Sequence, residues 1–396
     1  MVYRYLLNNV AIPFFGTVFQ LLVHCDYLDW ADLEVLLLSP AFACLFCGHF
    51  PSRTIPLAVT VSGGSSLRAM NTIADQLARM PRPRFSLQVT LDYDPTSEEI
   101  AQLGQRGQQI TSFCQGEQGP VALRLDVARA IARMPSLTSL DLGPCGRLEG
   151  GAMRVLATGT YPALKTLRLP RVPLLSSEET LDIGKLDAVR TLTTPALGDY
   201  AHLCGMQLFE LTISNRALTG QALATLPALP HLRKLELNTC MEFDSPEGEM
   251  LAKRKIRTLK LVNLCPTTAF FQSLALNRSI RELYLFGLYT LWDTAILAPI
   301  ADIPQLELLC LQGSTVSVSQ LCGLGPTTIQ KLGLRDCCDL LDFDAANLNL
   351  IGQFQSLGLV DLCGCANLSA TGVDCLRRVF PTTCVVVTDH SQAGGC

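Results

Sequence analysis

Three stretches of this chain repeat one another: Leu232-Arg-Lys-Leu235-Glu-Leu237, Ile256-Arg-Thr-Leu259-Lys-Leu261 and Ile280-Arg-Glu-Leu283-Tyr-Leu285. Each begins 24 residues after the one before it. The same spacing of apolar residues continues in both directions. Upstream it falls on Leu137-Leu140-Leu142, Leu164-Leu167-Leu169, Val189-Leu192-Thr194 and Leu208-Leu211-Ile213. Downstream it falls on Leu306-Leu309-Leu311, Ile329-Leu332-Leu334 and Leu357-Val360-Leu362. Units this short cannot bury their leucines alone, so neighbours must stack to share one core.

Alternate side chains of a short strand point to one face, which places the leucines of x-Leu-x-Leu inward. The residues between strands then carry the chain back so that the next strand can start beside the last, in parallel. Segments such as Gly151-Ala-Met-Arg-Val-Leu-Ala157 combine helical apolar spacing with good helix formers, as that return requires. A period in the twenties with this pattern marks leucine-rich repeats. The expected fold is α/β: a right-handed, curved leucine-rich-repeat solenoid, with parallel strands on the concave face and a short helical N-terminal module. Residues 137–388 form the solenoid on this reading, and 389–396 a tail. Residues 51–136 are degenerate early repeats, since Ile55–Val61 and Phe85–Leu91 alternate and Ile110 stands one step before Leu137.

Composition agrees with a large interior. Of the 396 residues, 70 are Leu, hydrophobic residues make up 48% and charged residues only 17%. Such a chain has ample apolar surface to bury and does not read as disordered. The net charge of −4 provides no footprint for nucleic acid. No run of apolar residues is long enough for a membrane span.

In four of the ten matches the residue three after the last position of the template is a cysteine: Cys145, Cys240, Cys337 and Cys365. The stretch Leu357-Gly-Leu-Val-Asp-Leu-Cys-Gly-Cys365-Ala-Asn-Leu-Ser-Ala-Thr-Gly-Val-Asp-Cys-Leu376 resembles the cysteine-containing subtype of leucine-rich repeat found in F-box/leucine-rich-repeat proteins. The first fifty residues extend the resemblance. Leu21-Leu22, Leu28-Asp29, Asp32-Leu33 and Leu36-Leu37-Leu38 follow the order of an F-box, with Asp29 or Asp32 placed to cap the helix of Leu33. Two departures stand out: Ile12-Pro13 lies about four residues too far from Leu28, and Pro40 interrupts the last helix. The resemblance implies that residues 13–47 hold a Skp-type adaptor of a cullin–RING ubiquitin ligase through Leu21, Leu22, Leu28, Leu33, Leu36 and Leu37. The residues themselves leave open a helical cap over the solenoid's first layer, or a targeting segment.

Catalytic chemistry is not evident. No G-x-S-x-G, H-E-x-x-H, P-loop or dinucleotide fingerprint occurs. Cys44-Leu-Phe-Cys47 lacks a second pair at zinc spacing. The expectation is therefore a non-enzyme with no cofactor and no bound metal. Asn277-Arg-Ser279 and Asn367-Leu-Ser369 match glycosylation sequons, relevant only to a secreted chain.

Function then falls to exposed strand positions. The residue after the first leucine is Lys165, Arg190, Phe209, Arg233, Arg257 and Arg281 in successive repeats. The residue between the last two leucines includes Arg168, Lys260 and Tyr284. Stacked at strand spacing, these make a basic spine suited to an acidic or phosphorylated segment of a partner protein. The reading is a non-catalytic interaction protein of a reducing compartment, cytoplasmic or nuclear. It would serve as substrate receptor of an SCF-type ligase, as a structural subunit of a large assembly or, if exported, as a receptor ectodomain.

Overall fold

The computed structural model describes residues 54–387 with interruptions, the longest at 72–83, 215–222 and 338–353. The F-box-like residues 13–47 lie outside the described residues. The chain divides into two compact units, 1–145 with 158–163 and 146–157 with 164–396.

In the first unit, β1 (Thr54–Val61), β2 (Arg84–Leu91) and β3 (Ile110–Gln115) are followed by a two-residue β4 (Ala122–Leu123) and by β5 (Ser139–Asp141). Strands β1, β2, β3 and β5 pair in parallel in that order. Parallel neighbours need a crossover, and α1 (Ser97–Gln105) and α2 (Leu125–Ile131) supply two of them. Thr96 and Glu99 close a capping box at the start of α1, satisfying N–H groups the helix leaves free. Asp126 receives the Arg124 guanidinium at 2.7 Å and the Ser97 hydroxyl at 2.8 Å. The Arg124 hydrogen bond, with that from Ser97, outweighs burial and lowers the Asp126 carboxyl to about 2.

The second unit opens with β6 (Arg147–Leu148), α3 (Ala152–Ala157), β7 (Thr166–Arg168), α4 (Ser177–Ile183) and β8 (Thr191–Thr194). A 3-10 turn, Ala201–Gly205, leads to β9 (Glu210–Ser214), β10 (Lys234–Asn238), β11 (Glu242–Phe243) and α5 (Ser245–Ala252). Next come β12 (Thr258–Val262), β13 (Cys265–Pro266), α6 (Thr268–Leu274), β14 (Glu282–Phe286) and α7 (Thr294–Ala301). The chain continues through β15 (Leu308–Gln312), β16 (Lys331–Gly333), β17 (Leu359–Asp361), α8 (Ala370–Val379) and β18 (Cys384–Val386). Strands β7, β8, β9, β10, β12, β14, β15, β16, β17 and β18 form a parallel ladder in that order. The fold is an α/β leucine-rich-repeat solenoid.

Register follows the leucines. Leu211, Leu235, Leu259, Leu283, Leu309, Leu332 and Val360 are laterally paired, one from each successive strand. All are buried, and each buried leucine contributes roughly 1.5–3 kcal/mol. Strands β9, β10, β12 and β14 alternate buried and half-buried residues without exception, so one face is core and the other open. Thr194 fills a leucine slot in β8, fully inside, and its hydroxyl finds no hydrogen-bond partner among the described residues.

Two polar devices join one repeat to the next. At the ninth position, the Cys337 thiol donates to the Leu311 carbonyl and the Cys365 thiol to the Leu334 carbonyl, each at 2.8 Å. Cys145 makes the equivalent inward contact with the Gln115 side chain in the first unit. Burial pushes the Cys145 and Cys337 thiols up to about 12, so both remain protonated donors. Cys240 lies outside the described residues. Asn277, the first sequon residue, is wholly buried. Its amide donates to the Leu251 and Arg254 carbonyls, and its oxygen accepts from the Ser279 and Ile280 N–H groups. A glycan at Asn277 is incompatible with this fold.

Helix α5 approaches α6 through Gly248, where a Cβ would stand 2.4 Å from the Phe270 carbonyl oxygen. Gly248→Ala should therefore destabilise the chain by about 1–3 kcal/mol, read as a lower urea midpoint. Gly358→Ala, whose Cβ would meet only the Gln330 carbonyl at 3.7 Å, should leave the midpoint nearly unchanged. The lowered Asp126 carboxyl contributes stability that is complete above the ordinary carboxylate value and is lost as pH falls towards about 2. Asp126→Asn should flatten the dependence of thermal midpoint on pH between about 4 and about 2.

Candidate binding face

The column Lys165, Arg190, Phe209, Arg233, Arg257 and Arg281 lies just before strands β7, β8, β9, β10, β12 and β14. The pairing extends into it. Arg190 N–H donates to the Lys165 carbonyl at 2.8 Å, Phe209 to Arg190 at 2.7 Å, and Arg233 to Phe209 at 2.9 Å. Arg257 N–H donates to the Arg233 carbonyl at 2.8 Å, and Arg281 to Arg257 at 2.9 Å. Each of these carbonyls also accepts from the first residue of the following strand, so both its lone pairs are used. The six backbones are thus aligned at strand spacing, about 4.8 Å per step.

Their side chains do three different things. Arg190 folds back onto its own turn, donating to the carbonyls of Asp187, Ala188 and Val189, and reaches the Gln207 side chain at 3.0 Å. Arg233 does likewise with the Pro230 and Leu232 carbonyls. Arg281 forms an ion pair with Glu307 at 2.7 Å. Lys165 and Arg257 are exposed, and neither is held by a hydrogen bond or ion pair among the described residues. Phe209 stands 56% exposed between Arg190 and Arg233.

On the open strand face, cations and carboxylates alternate across neighbouring strands. Lys234 pairs with Glu210, which raises the lysine, and Lys260 pairs with Glu236 at 3.2 Å. The Lys260 ammonium also lies 5.0 Å from the centre of the Phe286 ring, which packs edge-on against Tyr284. Burial, then Glu282, raises the Tyr284 phenol. Further along, Arg335 pairs with Asp361 at 2.5 Å. Arg168 shares the face, half-buried on β7. The mid-face is therefore polar but locally neutral, while unpaired positive charge collects at the N-terminal ends of the strands.

A further regularity was not read from the spacing of leucines. Two residues beyond the last leucine of a repeat, Asn263, Gly287, Gly313, Asp336 and Gly364 all have positive φ, between 53° and 80°. Only glycine, asparagine and aspartate enter that region readily. Asn263, Gly287 and Gly313 also donate laterally, to the carbonyls of Phe286, Gln312 and Arg335. This column fixes the opposite margin of the face. The recurrence of those three residue types at one repeat position is the signal that would have located it.

Among the described residues, no group of three His, Cys, Asp or Glu side chains could hold a metal ion. No helix among them is long and apolar enough to cross a membrane. The division of the arginines has a measurable outcome. Arg190→Ala and Arg233→Ala remove donors that close their own turns and should each cost about 0.5–1.5 kcal/mol in urea unfolding. Arg257→Ala, at an exposed and unpaired position, should stay within about 0.5 kcal/mol of wild type.

No protein-family model matches the chain, and no curated protein matches it. Among solved structures it is similar to an internalin (inlF) from Listeria monocytogenes, with 14% identity and a TM-score of 0.43. That match covers 75% of this chain and 90% of the internalin. It is also similar to TLR13 in the TLR13–ssRNA13 complex, with 15% identity and a TM-score of 0.47. There the match covers 83% of this chain, which spans 50% of the TLR13 chain.

Proposed function

We propose that this chain is a non-catalytic protein-interaction module whose ladder face, within residues 164–387, binds an acidic segment of a partner protein, either carboxylate-rich or phosphorylated. The observation that carries this reading is the lateral alignment of Lys165, Arg190, Phe209, Arg233, Arg257 and Arg281 by backbone hydrogen bonds. Lys165 and Arg257 are exposed and unpaired among the described residues, and Phe209 stands open between cations. Arginine and lysine so placed give charge-assisted hydrogen bonds to carboxylates or phosphates. A rigid backbone spacing lets several engage one extended segment.

The finer assignment is to the substrate-recognition subunit of an SCF-type ubiquitin ligase. The F-box-like order of residues in 13–47, immediately before the repeats, supports it. A reducing compartment, cytoplasm or nucleus, goes with this assignment. Its support is that the thiols of Cys337 and Cys365 act as hydrogen-bond donors between repeats, a role that disulfide formation would remove.

The test has two arms on the full chain. Reversing Arg233, Arg257 and Arg281 to Glu should abolish capture of the partner while leaving the circular dichroism of the repeats intact. Undiminished capture would sink the acidic-segment reading. Deleting residues 1–50 should abolish co-purification of a Skp-type adaptor while partner capture persists. If the full chain recovers no adaptor, the assignment moves to a structural subunit of an assembly.

A further inference from the structure

The two cations left free on the ladder are placed symmetrically about its exposed ring. Lys165 precedes β7, Phe209 precedes β9 and Arg257 precedes β12, so two strand steps separate each cation from the ring. At about 4.8 Å per step, Lys165 and Arg257 stand roughly 9.6 Å to either side of Phe209. The arginines between them, Arg190 and Arg233, are held by the carbonyls of their own turns. Carboxylates of the adjoining strand face are taken as well. Glu210 pairs with Lys234, Glu236 with Lys260, and Glu282 accepts from the Thr258 hydroxyl at 3.0 Å. The backbone of this margin is saturated too. The N–H groups of Arg190, Phe209, Arg233 and Arg257 donate laterally, and the carbonyls of Lys165, Arg190, Phe209 and Arg233 each accept twice. A segment laid across the margin is therefore recognised through side chains alone, and any N–H it turns inward finds no backbone acceptor.

We infer that this margin binds a proline-rich acidic segment of a partner protein in the polyproline II conformation. An apolar residue of the segment lies on Phe209, and carboxylates three residues to either side meet Lys165 and Arg257. The inference rests on the proposed reading of the ladder as an acidic-segment site and supplies its motif. Polyproline II turns once in three residues at 3.1 Å each, so every third side chain lies on one edge, about 9.3 Å apart. That repeat matches two strand steps. An extended strand returns to one face at about 6.6 and about 13 Å, and misses the cations both times. An α-helix returns after seven residues, about 10.5 Å, and overshoots the full span from Lys165 to Arg257 by about 2 Å. Proline brings no N–H to be stranded against the saturated backbone, and proline-rich segments dock on exposed aromatic rings. Such a segment is largely preformed, so little ordering opposes its binding. Because the spacing is symmetrical, the motif reads the same in either chain direction.

The experiment measures three fluorescein-labelled peptides against the full chain by fluorescence anisotropy at low salt. The first, Glu-Pro-Pro-Leu-Pro-Pro-Glu, carries the motif. The second, Pro-Glu-Pro-Leu-Pro-Glu-Pro, has the same composition with its acids two residues from the leucine. The third is heptaglutamate. The motif peptide should bind about fivefold more tightly than its permuted form and lose about tenfold on Phe209→Ser. Lys165→Glu and Arg257→Glu should each weaken it roughly fivefold. Lys331→Glu, at an exposed position on β16, should leave it unchanged. Phe209 is more than half exposed, so its replacement leaves the core intact, and the thermal midpoint checks that each variant folds. Equal binding of the two proline peptides, or undiminished binding to Phe209→Ser, overturns the inference. If only heptaglutamate binds, and is lost on Arg257→Glu, the motif is overturned while the acidic-segment reading stands. If no peptide binds, or none responds to charge reversal, both fall.

Discussion

Everything in this molecule depends on the inability of a short repeat to bury its own leucines. A strand of three to five residues has one apolar face and no partner within its own repeat. Lateral pairing supplies the partner, and it does so only if every repeat presents its leucines at the same height. The pairing of Leu211, Leu235, Leu259, Leu283 and Leu309 is that constraint met strand after strand. Once register is fixed for the core, it is fixed for the open face as well, because alternate residues of one strand cannot be moved independently. The aligned cations and the alternating ion pairs both inherit their positions from the register of the buried leucines.

Much of the fold was legible because leucine spacing is a direct image of strand register. The template names the inward residues of β9, β10, β12 and β14 without error, and it remains readable where Val360 or Ile213 replaces leucine. The buried cysteines were legible for the same reason, since a small apolar group suits that slot. Thr194 marks the limit: its place in the template is clear, but nothing in the spacing says that its hydroxyl goes without a partner. The left-handed turn column was present in the sequence as Asn263, Gly287, Gly313, Asp336 and Gly364. It is a signal of backbone conformation, not of hydrophobicity, and a search for leucines passes over it.

The face was less legible, and for a physical reason. Spacing tells which side chains share a column but not what each one reaches. Arg190, Arg233 and Arg257 are equivalent by position, yet two close their own turns and one stands free. That difference depends on the length and shape of the preceding turn, where Asp187 to Val189 present carbonyls to Arg190. In the same way, the neutrality of the mid-face arises from pairs such as Lys260 with Glu236, which join different repeats. The burial of Cys310 on the open side of β15 was hidden because a strand reading Leu-Leu-Cys-Leu looks like core on both sides.

The lateral bonds at both margins of the strands have an evolutionary consequence. Between the two margins, the strand and its side chains are held at a fixed pitch by hydrogen bonds that do not involve the return segments. Those segments already vary, from a compact 3-10 turn before β9 to helices of seven or eight residues in α5 and α6. Insertions and deletions on the return path can therefore accumulate without shifting any position of the face. A lineage of such chains can drift far apart in length and overall sequence while keeping one recognition surface constant, and the surface positions should be compared by their place in the repeat, not by alignment of whole chains.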